Sequence, residues 1–152
     1  MRELLTTLAR RLRGLVDAET LAHCGRVACL GAALGEALGL TREVTRTLYI
    51  GGLLHDIGKG AIPAEVLGKP GRLLPEERRL VEAHPAAGES ILLQVVPEIT
   101  PDVVDVVRHH HERLDGSGYP DGLRGPDVSQ AARIIAVADV YDALVSDRPY
   151  RR

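Results

Sequence analysis

The 152-residue chain contains no Trp and no Phe, and only four Tyr. Aromatic platforms on which single-stranded nucleic acid stacks are therefore scarce. No charge of one sign dominates either: 19 basic against 21 acidic residues leave a net charge of -2, and no Lys/Arg block is long enough to track the phosphates of a duplex. A nucleic acid polymer is thus not an expected partner. The only two cysteines, Cys24 and Cys29, are five positions apart on one predicted helix. At ~100° per residue they point ~140° away from each other, which disfavours a disulfide or a Cys-based zinc site and suits small buried residues of a reducing compartment. No apolar run approaches the ~18 residues of a membrane span. The Arg-rich N-terminus is polar throughout and lacks the apolar region of a signal peptide. The expectation is a cytoplasmic protein with no membrane contact.

What is present is Leu, Val, Ile and Ala at helical spacing, within a hydrophobic fraction of 45%. A chain of this length folds as one domain that buries roughly 68–70% of its unfolded surface. Residues 2–16 form a basic helix with Leu4, Leu5, Leu8, Leu12 and Leu15 on one side, either a first helix or a connector from upstream; residues 17–152 form the domain proper. A helix from about Asp17 to Gly39 carries Val27, Leu30, Leu34 and Leu38 on its inward stripe, which runs back through His23 to Glu19. Thr41 caps a third helix whose stripe Val44, Leu48, Gly52, His55 ends in Leu53-Leu54-His55-Asp56-Ile57-Gly58-Lys59. Gly51 and Gly52 weaken that helix unless another packs closely against it. The run breaks at Gly58 and Gly60, and Ala61 to Leu74 reads as a loop. Pro75 with Glu76 and Glu77 opens a helix that His84-Pro85 closes, followed by a short one through Ile91 and Leu92 to Val96. Thr100-Pro101-Asp102 starts the next, and Ser129 caps the last. Between them, Leu114 to Pro126 is rich in Gly and Pro, too long for a simple connection, and reads as a functional loop. No β pattern competes. The fold class expected is all-α, a single-domain bundle of about six or seven helices.

Polar residues on these inward stripes carry the chemistry. His55 and Asp56 stand side by side, and four other segments aim Glu19 and His23, His84, His110 and His111, and Asp139 at the same point. Measured from Val103, ~100° steps put Val107 near ~40°, His110 near ~340° and His111 near ~80°, whereas His109 falls near ~240° and is a solvated bystander. A single inward His reads more simply as a satisfied core residue. An inward carboxylate one turn away is harder to bury without a cation or a partner such as Arg26. Imidazoles mixed with carboxylates, without thiolate, suit Fe, Mn, Zn or Ni. The candidate ligands overfill one ion, so two or three divalent ions are expected, with Asp56 the bridge. Such a centre activates water as a bridging hydroxide and clamps a phosphoryl group for in-line displacement. Lys59, one turn beyond His55, is placed to neutralise a phosphate oxygen; its simpler reading is an exposed helix-end lysine. Asp142, three beyond Asp139, reads at least as readily as a carboxylate linking helices.

The motif His55-Asp56 with its supporting His and Asp residues resembles the HD phosphohydrolase superfamily. The run His110-His111-Glu112-Arg113-Leu114-Asp115-Gly116-Ser117-Gly118-Tyr119-Pro120 resembles the HD-GYP subgroup. Further matches are His23 with Arg26, Lys69-Pro70-Gly71, His84-Pro85 with Gly88, and Ala136 to Leu144 running into Arg148-Pro149-Tyr150-Arg151. The resemblance implies an HD-type bundle that hydrolyses cyclic di-GMP to linear pGpG, in some members on to GMP, with two or three Fe or Mn ions. By motif it implies the ligands His23, His55, Asp56, His84, His110, His111 and Asp139, with Glu19 the extra carboxylate of trinuclear members. It implies catalytic roles for Asp56 and Lys59 and substrate contacts from Lys59, Tyr119 and Arg148. The loop around Tyr119 would also meet partners such as GGDEF-type diguanylate cyclases, and a homodimer is among the assemblies allowed. Members of the family usually continue past Arg152 with one or two helices that cover the bundle, and usually follow a regulatory domain. A cyclic di-GMP sensor or docking module with little turnover is the alternative; a di-iron oxygenase or a nucleotide hydrolase on the same scaffold is a third reading, which the Tyr119 loop argues against.

Overall fold

Asp17 opens the first long helix by accepting the backbone N–H of Thr20 at 2.7 Å. In the computed structural model, which describes residues 6, 8, 10–12 and 14–146, this helix α1 spans Ala18–Ala37. It ends in a Schellman turn: Gly39 takes φ +68°, its N–H reaches Glu36 O, and the Leu40 N–H reaches Gly35 O, both at 3.0 Å. Helix α2, Arg42–Leu54, begins at Thr41, whose hydroxyl accepts from Val44 N as its sequence position predicts. A tight turn over Ile57–Ala61 follows. The expected loop from Ala61 to Leu74 contains one helical turn, α3, Ala64–Leu67. Helix α4, Pro75–Glu82, starts at Leu74, which has no side-chain acceptor; Glu77 supplies the reciprocal half of the cap by accepting the Leu74 N–H at 2.6 Å.

His84 does not end α4, as the sequence reading placed it, but begins helix α5, His84–Val95. Pro85 is harmless there, because first-turn N–H groups have no intrahelical partner. Helices α6, Pro101–His109, and α7, Gln130–Val145, complete the bundle, with Ser129 capping α7 through Ala132 N. Among the described residues there is no strand, only an isolated bridge between Asp115 and Arg124, and no helix is long and apolar enough to cross a membrane. The all-α expectation holds.

Two apolar clusters form the core. One joins Leu8 and Leu12 to Ile50, Leu54, Ile57, Leu92 and Val103; the other joins Val27, Leu48, Val106 and Ile135. The described residues of the N-terminal segment therefore pack on the bundle, while Leu4 and Leu5 lie outside the described residues. Helices α2 and α6 supply residues to both clusters and hold them together. The inward face of α1 departs from the expected leucine stripe. His23, Cys24, Val27, Ala28, Gly31 and Gly35 are buried, whereas Leu34 and Leu38 are exposed. Small residues win because the neighbours come so close: a Cβ on Gly31 would stand 2.5 Å from Ile135 Cδ1, and one on Gly35 2.7 Å from Leu48 Cδ1. Gly52 is used in the same way, with Ala28 Cα 2.8 Å from where its Cβ would be, so the close contact anticipated for the glycine pair is present. The outer face of α7 stays apolar and exposed at Val137, Val140, Tyr141, Leu144 and Val145.

Candidate metal centre

Helices α2 and α6 each end in an imidazole at one point, and α5 begins there with a third. His55 Nδ1 bonds Gly52 O at 2.8 Å at the end of α2. His84 Nδ1 bonds Val81 O at 2.7 Å at the end of α4, and His110 Nδ1 bonds Val107 O at 2.9 Å at the end of α6. Each bond reaches back three residues to one of the last carbonyls of a helix, groups that have no partner within the helix itself. A carbonyl only accepts, so Nδ1 carries the proton and Nε2 is left as a lone pair. His23 is oriented from outside its helix: its Nδ1 lies 2.7 Å from Asp142 Oδ2 on α7.

The four Nε2 atoms turn inward onto Asp56 and Asp139. Asp56 Oδ1 is 3.3 Å from His84 Nε2; Asp56 Oδ2 is 3.4 Å from His55 Nε2 and 3.7 Å from His23 Nε2. Asp139 Oδ1 is 3.0 Å from His23 Nε2 and 3.9 Å from His55 Nε2. The donors sort into one group of Asp56, His84, His110 and His111 and a second of His23, His55 and Asp139, with all ligand atoms in each within 4.8 Å of one another. Asp56 presents one oxygen to each group, as expected of a bridge.

Two observations show that this donor set fits cations. His55 Nε2 and Asp56 Oδ1 are buried without a hydrogen-bond partner, a costly state for a polar atom. His84 Nε2 and His110 Nε2 lie 3.2 Å apart with both Nδ1 protons already committed to carbonyls, so two lone pairs face each other. A cation between them converts repulsion into coordination. The electrostatics agree. Burial opposes charge on His55, but the adjacent Asp56 carboxylate outweighs it and raises the imidazole pKa, so without a cation a proton is favoured on Nε2 and a bound cation would take that proton's place. Burial likewise opposes ionisation of Asp56, yet His55, His84 and Lys59 hold its pKa well below the usual carboxylate range. Burial and neighbouring imidazoles push His110 well down and His111 to about 4, so both are neutral and ligand-competent at neutral pH.

Lys59 is half-buried, its Nζ 2.5 Å from Asp56 Oδ2. Tyr119 packs its ring 4.9 Å from that of His111, tilted by 36°. Its phenol pKa is raised by burial and by the carboxylates of Glu82, Asp56 and Asp139, which keeps the hydroxyl a donor. Arg26 pairs with Asp142 at 2.6 and 2.9 Å, so Asp142 is the helix-linking carboxylate that its spacing allowed. Of the expected ligands, seven converge here: His23, His55, Asp56, His84, His110, His111 and Asp139.

Glu19 does not join them. It is exposed in the first turn of α1 and belongs to neither ligand group. One turn back from His23 the inward stripe gives way to solvent, and its charge acts on Arg26 instead. Arg148 lies outside the described residues. Cys29 is exposed rather than buried, while Cys24 is buried within reach of His55 and Asp56. His109 is not a solvated bystander: its ring links Asp105 and Asp121 at 2.7 and 2.9 Å. The Asp105–His109 pair was legible as an i,i+4 spacing. Asp121, brought back by the glycine-rich loop, was not. Nor was the role of Glu112, whose buried carboxylate accepts three backbone N–H groups of that loop.

A family model described as HD domain matches residues 3–152. A cyclic di-GMP phosphodiesterase of Pseudomonas aeruginosa is 47% identical over 90% of this chain and 33% of its own length. A 3'3'-cGAMP-specific phosphodiesterase of Vibrio cholerae is 41% identical over 98% of this chain and 35% of its own. The chain thus spans about a third of these curated relatives. Among solved structures, an HDGYP protein from Bdellovibrio bacteriovorus superposes with a TM-score of 0.71 at 30% identity, covering 82% of this chain and 40% of that one.

Proposed function

Because the chain belongs to the HD domain family, we propose that it is the catalytic domain of a metal-dependent phosphodiesterase that hydrolyses cyclic di-GMP to linear pGpG. Residues 17–152 form the domain on this reading, and residues 1–16 its N-terminal helix or connector. The observation that carries the proposal is Asp56, one oxygen facing each group of imidazoles. His23, His55 and Asp139 would hold one cation and His84, His110 and His111 another, with Asp56 shared. The nitrogen and oxygen donor set suits Fe, Mn, Zn or Ni, and the family resemblance narrows the choice to Fe or Mn. Bound there, the cations supply activation of water near neutral pH and neutralisation of charge on the phosphoryl group.

The chain's own residues do the rest. The Nδ1 bonds of the four histidines fix their tautomers and aim their lone pairs before any ligand arrives. Lys59, beside Asp56 at the half-exposed edge, offers its ammonium to a non-bridging phosphate oxygen. Tyr119, its phenol protonated, donates to the substrate or presents its face to a purine. The exposed loop residue Leu114 belongs to the surface through which GGDEF-type diguanylate cyclases would dock. Free Cys24 and Cys29 suit a reducing cytoplasm.

The names of the relatives support a cyclic dinucleotide substrate and divide over which one. The test is anaerobic purification with metal analysis, then product identification from cyclic di-GMP and from 3'3'-cGAMP supplied in parallel with Fe(II) or Mn(II). Linear dinucleotide from cyclic di-GMP is expected. Release from neither substrate by metal-loaded protein refutes the reading, and binding without release selects the sensor instead.

A further inference from the structure

The loop that carries Tyr119 is held in place by a buried carboxylate that belongs to neither group of ligands. Glu112 is buried, and both its oxygens are used: Oε1 accepts from Asp121 N at 2.7 Å and Gly122 N at 3.0 Å, and Oε2 accepts from Leu123 N at 3.1 Å. Three successive backbone N–H groups thus converge on one side chain, immediately after Tyr119 and its cis-linked Pro120. On the other side of the tyrosine, its own N–H reaches His111 O at 3.3 Å. Gly118 permits that approach, since a Cβ there would stand 2.4 Å from Arg113 N and 2.5 Å from Glu112 Cα. Both anchors of Tyr119 therefore rest on residues 111 and 112, next to a proposed metal ligand. An outer pair reinforces them: Arg108 holds Asp121 at 2.7 and 2.8 Å and also pairs with Glu89, and His109 adds 2.9 Å to Asp121.

We propose that Glu112 is a positioning residue for substrate recognition: it touches neither substrate nor metal, and by gathering the N–H groups of residues 121–123 it sets the ring of Tyr119 beside His111. The inference rests on the phosphodiesterase reading and adds to it the device that registers the recognition loop against the centre. A loop held by one buried carboxylate loses register when that carboxylate loses an acceptor oxygen, while the helices that hold the ligands stay as they are. The consequence falls on binding of the cyclic dinucleotide more than on the chemical step.

Glu112→Gln replaces one acceptor oxygen with an NH2 that cannot accept. Losing a charge-assisted hydrogen bond of this kind is expected to raise KM for cyclic di-GMP roughly tenfold or more, with kcat changed less than about threefold. Metal content is expected to stay at the wild-type level, as is hydrolysis of bis(4-nitrophenyl) phosphate, which needs the centre but offers no purine. Tyr119→Ala is expected to raise KM too, and Glu112→Gln added to it to raise KM no further, since the carboxylate acts through the tyrosine. If Glu112→Gln fails to give a cooperative melt, Glu112→Asp takes its place, which keeps the charge but draws it back from the three N–H groups, with a smaller KM increase that again vanishes in the Tyr119→Ala background. Equal losses on both substrates with loss of metal, an unchanged KM, or a full additional effect in the Tyr119→Ala background overturn the assignment. Should the wild-type chain turn over no cyclic dinucleotide, the functional reading fails separately. The same cycle read as affinity for cyclic di-GMP by titration then decides Glu112, and unaltered affinity in Glu112→Gln overturns it.

Discussion

A histidine becomes a metal ligand only when its other nitrogen is told what to do. In His55, His84 and His110 the instruction comes from a carbonyl three residues earlier; in His23 it comes from Asp142. The helical contacts are local and cannot be removed by a side-chain substitution, but the fourth can. Asp142→Ala leaves the His23 tautomer unspecified and Arg26 unpaired, and is expected to weaken metal affinity ~10–100-fold without removing a ligand, as metal titration would show. Asp56→Asn is the harsher change, because it withdraws the one carboxylate shared by both groups; metal content is expected to fall to the level of contamination. Sequence periodicity located these residues well, since polar side chains on an apolar stripe stand out. It failed for Glu19 because angle alone does not say where along a helix the core stops.

Helix packing here is governed by positions that have no side chain. A Cβ at Gly58 would sit 1.9 Å from the backbone oxygen of His84, a contact that no rotamer change relieves. Gly58→Ala is therefore expected to cost ~1–3 kcal/mol or more through forced backbone movement, and to shift His84 away from Asp56; urea denaturation and metal binding would both report it. Helix α4 offers the opposite case. Its N-cap is a leucine, yet Glu77 already holds the Leu74 N–H. Leu74→Ser would complete the reciprocal pair and is expected to raise stability by ~0.5–1 kcal/mol in the same measurement. Helix starts were legible at Asp17, Thr41, Pro75, Thr100 and Ser129 because the capping chemistry is short-range. The inward face of α1 was misread because the sequence pattern rewards large apolar residues, while a close helix contact rewards small ones. His84 was assigned to the wrong helix because proline forbids a helix interior and favours a first turn, and the sequence does not say which of the two applies.

At the scale of the whole molecule, stability depends on the charged clasps that join separate elements. Asp121, held by Arg108 and His109, and Asp142, held by Arg26 and His23, both have pKa values lowered to about 2. A lowered carboxylate contributes stability that is present above its ordinary value of 3.8 and is lost as pH falls toward about 2. His109 has the opposite sign: Asp105 and Asp121 raise its pKa above 6.5, so its contribution is present below that value and is lost as pH rises through the raised one. Melting temperature of the metal-free chain is expected to be highest between these limits, with the alkaline loss reduced in Asp105→Asn, where Asp121 remains. Surface exposure screens part of each pair, so the shifts should be modest. The Asp121 clasp was invisible in sequence, since only the folded loop brings it to Arg108 and His109, whereas Asp142 was legible as a carboxylate linking helices.

The convergence of two helix ends and one helix start on one centre has a consequence for the life of the protein in a cell. The ends of α2 and α6 bring carbonyl groups with partial negative charge to it, and Asp56 and Asp139 add to them, so positive charge filling the space would draw the bundle tight. Occupancy at ~100 times the dissociation constant would add ~2.7 kcal/mol to folding. On the proposed function, scarcity of the metal would then do more than slow a reaction: it would loosen the scaffold, expose it to proteases and lower how much of the protein exists, making metal supply a controller of abundance as well as of rate.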